Sequence, residues 1–363
     1  MIRIKIQTIF ITIIRSNPLL FYFVNLPTYL DGFKMKKLTD KFGRQISYLR
    51  LAITDRCNLR CQYCMPAHGI DIVDREELLT YKEMYRITRI LSELGVNKVR
   101  LTGGEPFVRK DFVKFLESLS YNDLLDEINI TTNGALISKY IPELEKIGIK
   151  KINLSLDTLK ADKFKQITRR DLFKETYLTF EKLLVSKLEL KLNIVIQPGV
   201  NTDEIIDFIE LTKDKDIAVR FIEEMPFNGK GLRITDEVWN LDRIYKEIKE
   251  NYTNIIPLAD KKSSTSKNFR INNYKGTFGI IPAFTRTICN DCNRIRVTAT
   301  GMFKNCLFDN GVFNLRDFIR KGASDEDIAQ LFIDTVQQKP KNGFVAEANR
   351  KDNVSESMST IGG

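Results

Sequence analysis

The chain has 363 residues, with 57 lysines and arginines against 47 aspartates and glutamates, a net charge of +10. Hydrophobic residues make up 43% and charged residues 29%, which is globular composition and excludes a mainly disordered or acidic-tail protein. A single histidine, His68, excludes a three-histidine zinc site or a relay of imidazoles within one subunit.

Residues 1–34 are apolar and β-branched. Arg15 and the Asn17-Pro18 turn break them into pieces shorter than the roughly 18 continuous apolar residues of a membrane-spanning helix. Arg3 and Lys5 give a basic start, but no small-residue cleavage site follows, so no targeting pattern is complete. This segment is expected to be an extension without function, ahead of a start at Met35. From Tyr48 onward, short apolar runs at 48–53, 98–102, 128–131, 152–156, 190–196 and 218–222 read as buried strands. Between them, Met84, Ile87, Ile90, Leu91 and Leu94 predict a helix ending at Gly95. Ile205, Ile206 and Ile209 predict another, capped by Asn201-Thr202-Asp203. Strands alternating with helices predict an α/β fold, a partial (β/α)6 barrel of the triosephosphate isomerase type over 35–235. No GxGxxG turn follows the first strand, which disfavours an open nucleotide-binding sheet. After Trp239, a helical stretch at 241–251 gives way to short alternating runs around 269–271, 277–281 and 294–300. These predict a C-terminal antiparallel β/α extension over 236–340, then a tail over 341–363 ending in Gly362-Gly363.

The six cysteines form two sets with none between residues 65 and 288. Cys57, Cys61 and Cys64 are spaced C-x3-C-x2-C directly after the first strand, where a barrel presents its active-site loops. Three thiolates can bind three irons of a [4Fe-4S] cluster and leave the fourth open, since such clusters are normally held by four. A Cys3His zinc site completed by His68 is the chemical alternative. Cys289, Cys292 and Cys306 are spaced C-x2-C-x13-C with no histidine near, which suggests a second cluster with an open iron. Arg294 and Arg296 lie between these ligands at period two, on one face of a strand, where paired bonds to phosphate oxygens are possible.

The first motif, with an aromatic residue before its last cysteine, resembles the cluster motif of the radical S-adenosylmethionine enzymes. Gly103-Gly104-Glu105-Pro106 after the second strand resembles that family's GGEP motif. With the second cysteine set, its Arg294-Ile295-Arg296 and a tail reading Met358-Ser-Thr-Ile-Gly-Gly363, the resemblance narrows to the GTP 3′,8-cyclases of molybdenum cofactor biosynthesis, over about Lys37 to Gly363. That resemblance implies two [4Fe-4S] clusters and S-adenosylmethionine as cofactors and GTP as substrate. It implies that Tyr63, Gly104, Ser155 and Met225 contact S-adenosylmethionine. It places Arg50, Lys98, Arg100, Thr131, Lys191, Arg294, Ile295 and Arg296 around GTP, with Gly362 and Gly363 entering the catalytic site. The implied reaction starts when a 5′-deoxyadenosyl radical removes hydrogen from C3′ of the ribose; the carbon radical then attacks C8 of guanine. An electron donor such as flavodoxin or ferredoxin is implied, and a cyclic pyranopterin monophosphate synthase would receive the product. A cytoplasmic homodimer without membrane or nucleic-acid partners is expected.

The residues support this independently in one respect. Arg50, Lys98, Arg100 and Lys191 lie on or beside predicted parallel strands, where a cation is costly unless paired, and a triphosphate would pair them. No G-x4-G-K-[ST] loop exists, so GTP would be held by side chains. Two readings compete: a peptide-modifying radical enzyme with auxiliary clusters, and a zinc-stabilised nucleic-acid-binding protein that uses the positive charge.

Overall fold

The computed structural model of the chain describes residues 37–228, 237–260, 262–351 and 356–362. The expected extension, 1–34, and Gly363 lie outside the described residues. All six barrel strands form: β1 (Tyr48–Ala52), β2 (Lys98–Thr102), β3 (Glu127–Thr132), β4 (Lys151–Ser155), β5 (Glu189–Ile196) and β6 (Ala218–Glu223). They lie side by side in sequence order, all parallel. Strand β5 shows why. Leu190, Leu192, Ile194 and Ile196 are buried in one core with Phe180, Leu183, Phe208 and Ile209 of the helices Phe173–Leu184 and Ile205–Asp214. Period two then turns Glu189, Lys191, Asn193 and Val195 to the inner face.

Helix Tyr81–Glu93 forms where its spacing predicts, with a Thr80/Glu83 capping box at its start, and Leu94 just beyond it is buried. The Asn201 cap does not form. Asn201 Oδ1 accepts from Gln197 N at 2.9 Å and its Nδ2 donates to the Asp157 and Val195 carbonyls, while a 3-10 turn, Thr202–Glu204, leads into the helix. The side chain is drawn away from the helix end because two strand-end carbonyls need a donor.

The C-terminal region adds β7 (Ile255–Pro257), β8 (Lys267–Ile271), β9 (Thr277–Ile281), β10 (Arg294–Val297), β11 (Met302–Lys304) and β12 (Phe313–Asn314). The ladders β7-β8-β9 and β10-β11-β12 are antiparallel, as expected. However, β9 also pairs with β6 and β10 with β1, both parallel. The parallel array therefore has eight strands, and one 12-stranded sheet runs through the expected boundary at residue 235. A short run of alternating apolar residues fits either ladder, so only pairing with chain-distant strands decides its direction. No described helix is long and apolar enough to cross a membrane.

Candidate active site

The polar residues on the inner faces of the strands enclose a cavity of about 730 Å3. At the strand starts, Glu127 pairs with Lys98 at 2.6 Å and with Lys151 at 3.1 Å, and Glu189 pairs with Lys191 at 2.8 Å. One step further along, Arg50 is in register with both Arg100 and Arg296. Arg220 and Arg294 line the same space, and among the described residues none of these five arginines makes an ion pair. Burial and the neighbouring Arg296 and Arg100 hold Arg50 well below its usual range. Burial and Arg100 bring Arg220 down to about 10, burial and Arg294 bring Arg296 down to about 10, and burial and Arg220 bring Lys191 down to about 8. The Nε atoms of Arg50, Arg100 and Arg220, Thr131 Oγ1 and Asn193 Oδ1 are buried without a hydrogen-bond partner. Mutually repelling guanidinium groups with orphaned donors fit a bound polyanion, which would satisfy both charge and hydrogen bonds.

Cys57, Cys61 and Cys64 follow β1 at the ends of the parallel strands. Their loop is pinned by other groups. The Arg60 and Gln62 N–H groups donate to the Thr168 and Ile167 carbonyls at 2.9 and 3.0 Å, the Arg169 guanidinium donates to the Arg60 and Met65 carbonyls, and Leu59 is buried. Burial pushes the Cys57 thiol up to about 11, the Cys64 thiol up to about 12, and Cys61 well above its ordinary value. The protein itself thus favours thiols there, and a metal core would supply the positive charge that makes them thiolate ligands.

The loop after β2 lies on this one. A Cβ on Gly103, at φ +133, would stand 2.3 Å from the Thr54 carbonyl oxygen, and one on Gly104 would stand 2.2 Å from that of Arg56. The Gly104 and Glu105 N–H groups donate to those two carbonyls at 2.8 Å. Glu105 in turn accepts from Asn133 N at 2.7 Å and Thr132 Oγ1 at 2.9 Å, and Asn133 Nδ2 reaches Cys57 Sγ at 3.7 Å. The two glycines are therefore required first by loop-on-loop packing. Gly104→Ala should push the cysteine loop outward and reduce iron retained on the first set to less than about half, with the barrel still folded; iron at the parent level would show that the loops separate freely.

Tyr63 Oη donates to Asp157 Oδ2 at 2.7 Å, Asp157 Oδ1 accepts from Val195 N at 2.8 Å, and burial pushes the Asp157 carboxyl up to about 6. Tyr63, Ser155 and Met225 line the cavity.

Cys289 and Cys292 immediately precede β10, and Cys306 follows β11, which runs antiparallel to it. The second set therefore lies toward the starts of the parallel strands, the first set at their ends, with the arginines between. All three second-set cysteines line the cavity. Arg44 donates to the Cys289 carbonyl at 3.1 Å and the Pro340 carbonyl at 2.7 Å. Burial would raise the Cys292 thiol, but Lys339 and Arg294 outweigh it and bring it down to about 5. His68 is exposed, and among the described residues no three His, Cys, Asp or Glu side chains converge as ligands of a single ion, so the Cys3His arrangement is not built.

Helix Met358–Ile361 carries the tail back to the first cysteine loop. Ser357 Oγ donates to the Cys64 carbonyl at 2.7 Å, and Arg296 donates to the Gly362 carbonyl at 2.8 Å. Of the sequence-predicted residues, Arg50, Lys98, Arg100, Thr131, Lys191, Arg294 and Arg296 share the cavity with Tyr63, Ser155 and Met225. Ile295 sends its side chain into the outer core, since period two places it opposite its arginine neighbours. Arg220, Asn129, Asn153, Asn193, Asp157 and Lys339 were not picked out from the sequence. A signal existed for the three asparagines: each stands two positions from another polar or charged residue inside an apolar run, as in Glu127-Ile-Asn129, Lys151-Ile-Asn153 and Lys191-Leu-Asn193, whereas Arg220 stands between Ala218 and Ile222.

Two family models match the chain, the radical SAM superfamily over residues 51–212 and Molybdenum Cofactor Synthesis C over 217–345. The mitochondrial GTP 3′,8-cyclase of Arabidopsis thaliana is 42% identical over 83% of this chain and 77% of its own length. The GTP 3′,8-cyclase of Syntrophomonas wolfei is 39% identical over 86% of this chain and 98% of its own. This chain belongs to the GTP 3′,8-cyclase family. It spans about half the length of other curated relatives, the molybdenum cofactor biosynthesis proteins of Caenorhabditis elegans, Dictyostelium discoideum and Drosophila melanogaster. Among solved structures, Streptococcus suis SuiB bound to its precursor peptide superposes with a TM-score of 0.59 at 16% identity, over 94% of this chain and 84% of that one. At that identity the likeness is one of fold. In this GTP 3′,8-cyclase family member the radical SAM match ends just before β6, so β9 and β10, which complete the eight-stranded array, come from the second matched region.

Proposed function

We propose that this chain converts GTP to 3′,8-cyclo-7,8-dihydro-GTP, the first step of molybdenum cofactor biosynthesis. The observation that carries the reading is the arginine-lined cavity whose orphaned cationic donors suit a triphosphate, with the second cysteine set in its lining and the first in the loop after β1. The first set would hold one [4Fe-4S] cluster and the second set another, and S-adenosylmethionine would lie against Tyr63, Gly104, Ser155 and Met225. When bound, these groups supply a one-electron cleavage that yields a carbon-centred radical able to take hydrogen from the ribose.

The chain's own residues do the rest. Arg50, Arg100, Arg220 and Arg294 grip the triphosphate, with Lys98 and Lys191 exchanging a carboxylate partner for phosphate. Asp157 locks the Tyr63 ring by its hydroxyl. The tail closes the mouth beside Cys64 and keeps water and stray hydrogen donors from the reacting carbon. Flavodoxin or ferredoxin as reductant, a homodimer, and delivery to cyclic pyranopterin monophosphate synthase complete the proposal. Six unpaired cysteines suit a reducing compartment such as the cytoplasm. Anaerobic incubation with GTP, S-adenosylmethionine and dithionite, followed by mass analysis of the nucleotide, tests the whole reading: recovery of unchanged GTP alone would sink it.

Lys191 gives a pH signature. Burial and Arg220 depress it to about 8, and a bound phosphate would raise it again. Anion affinity is therefore complete below about pH 8 and declines as pH rises through it. GTP affinity measured calorimetrically should fall about fivefold from pH 7 to pH 9, and Lys191→Arg should flatten the profile; equal slopes in both proteins would exclude Lys191 from the site.

A further inference from the structure

Lys339 is a buried cation without a carboxylate. It is 2% exposed, and its Nζ donates to the Arg294 carbonyl at 2.7 Å and to the Asn305 carbonyl. Among the described residues it makes no ion pair. The two carbonyls flank the second cysteine set: Arg294 lies two residues after Cys292, and Asn305 directly precedes Cys306. They satisfy the ammonium's hydrogen bonds but not its charge, and a buried charge left uncompensated is strongly unfavourable. The carboxylate of the same loop, Asp309, faces Lys339 without forming an ion pair with it, its oxygens accepting from Cys306 N at 2.7 Å and Gly311 N at 2.9 Å. Arg294 and Arg296 on the adjoining strand add further positive charge. Besides Asp309, the groups facing Lys339 that can carry compensating negative charge are Cys292 and Cys306 of the second set. The first set differs in burial: the cation at its backbone, Arg60, which donates to the Cys57 carbonyl at 2.6 Å, is only half-buried, and Asn133 and Ser357 beside it are neutral.

We propose that Lys339 is the built-in counter-charge of the second cysteine set, favouring assembly of a three-thiolate [4Fe-4S] cluster there and raising its reduction potential. This rests on the two-cluster reading above. An oxidised [4Fe-4S] core with three thiolates has one net negative charge and reduction adds another, so a fixed cation beside it favours the reduced form. Lys339 acts through the cluster environment and is a positioning residue, with no contact to the nucleotide required.

The test uses the full chain, reconstituted anaerobically with iron and sulfide, as parent, Lys339→Met and Lys339→Arg. The two clusters are titrated with dithionite and followed by their electron paramagnetic resonance signals. The first is recognised by its response to S-adenosylmethionine. In Lys339→Met the reduction equilibrium of the second cluster should fall about tenfold, about 59 mV for one electron, while the first stays fixed and Lys339→Arg stays near the parent. Equal second-cluster potentials in parent and Lys339→Met would overturn the proposal. If Lys339→Met fails to hold the cluster, stability decides. With Cys289, Cys292 and Cys306 all replaced by alanine, Lys339→Met should raise the denaturation midpoint, because the thiolate charge facing it is gone and only the unpaired Asp309 remains. A midpoint lowered there as in the loaded parent would make Lys339 a mere backbone staple and overturn the proposal. Failure of the underlying reading looks different: the parent itself would hold about four irons in place of about eight.

Discussion

Alanine at Cys57, Cys61 or Cys64 should abolish release of 5′-deoxyadenosine from S-adenosylmethionine and lower iron from about eight to about four atoms per chain. The loss should be complete because each cysteine is one of only three ligands that the loop offers, and no histidine can replace it: His68 is exposed and apart. The fold should survive. The loop's shape is set by Leu59 in the core, by the Thr168 and Ile167 carbonyls, and by Arg169, all independent of the sulfur atoms. Removing a thiol that burial already keeps neutral leaves no uncompensated charge behind. The second set, near the strand starts, should keep its iron. Circular dichroism, iron analysis and chromatography of the nucleoside product read all three outcomes, and 5′-deoxyadenosine at the parent rate would end the radical interpretation.

How much of this was legible in the sequence depends on the range of the physics involved. The six barrel strands were legible because each is a short apolar run between turn signals, and the observed bounds differ by a residue or two. Helix Tyr81–Glu93 was legible because its apolar periodicity is local. The direction of β9 and β10 was not: Thr277–Ile281 and Arg294–Val297 join the parallel array through β6 and β1, and no local pattern encodes a partner so far along the chain. The same limit governs the site. The cysteine spacing is a local signal and stood out. Arg220 is a lone cation in an apolar run, between Ala218 and Ile222 at period two, so no local pattern marks it. Arg44 and Lys339 could not be found locally either: Arg44 meets the second cysteine set from 245 residues away, and Lys339 only once the chain folds back on it from beyond helix Asp325–Gln337. Gly104 of the GGEP motif is expected from the sequence against S-adenosylmethionine, whereas the contact that forbids a side chain on it and on Gly103 is with the backbone of the preceding loop.

Deleting Gly362 and Gly363 should leave the fold, both clusters and GTP binding in place but reduce cyclisation by on the order of a hundredfold or more. The tail's anchors lie upstream of the cut. Glu356 pairs with the fully buried Lys304 at 2.8 Å and with Arg350 at 3.1 Å, and Met358 N donates to the Phe227 carbonyl at 2.8 Å. Ile361 is buried with Phe227, Phe308 and Ala346. What the deletion removes is the last contact. Gly362, at φ +75, fits against Ala52 and Thr102, where a Cβ would approach to 3.1 and 3.2 Å, and its carbonyl holds Arg296. Freed from that carbonyl, Arg296 can turn wholly to the triphosphate, so GTP affinity should hold or rise. The mouth beside Cys64 would then be open to water at the point where a ribose radical must be kept from competing hydrogen donors. S-adenosylmethionine cleavage should therefore continue without yielding cyclised nucleotide, a separation of the two products that mass analysis of one reaction mixture reads directly. Cyclisation at the parent rate in the shortened chain would show that the tail's contact with Arg296 has no part in the reaction.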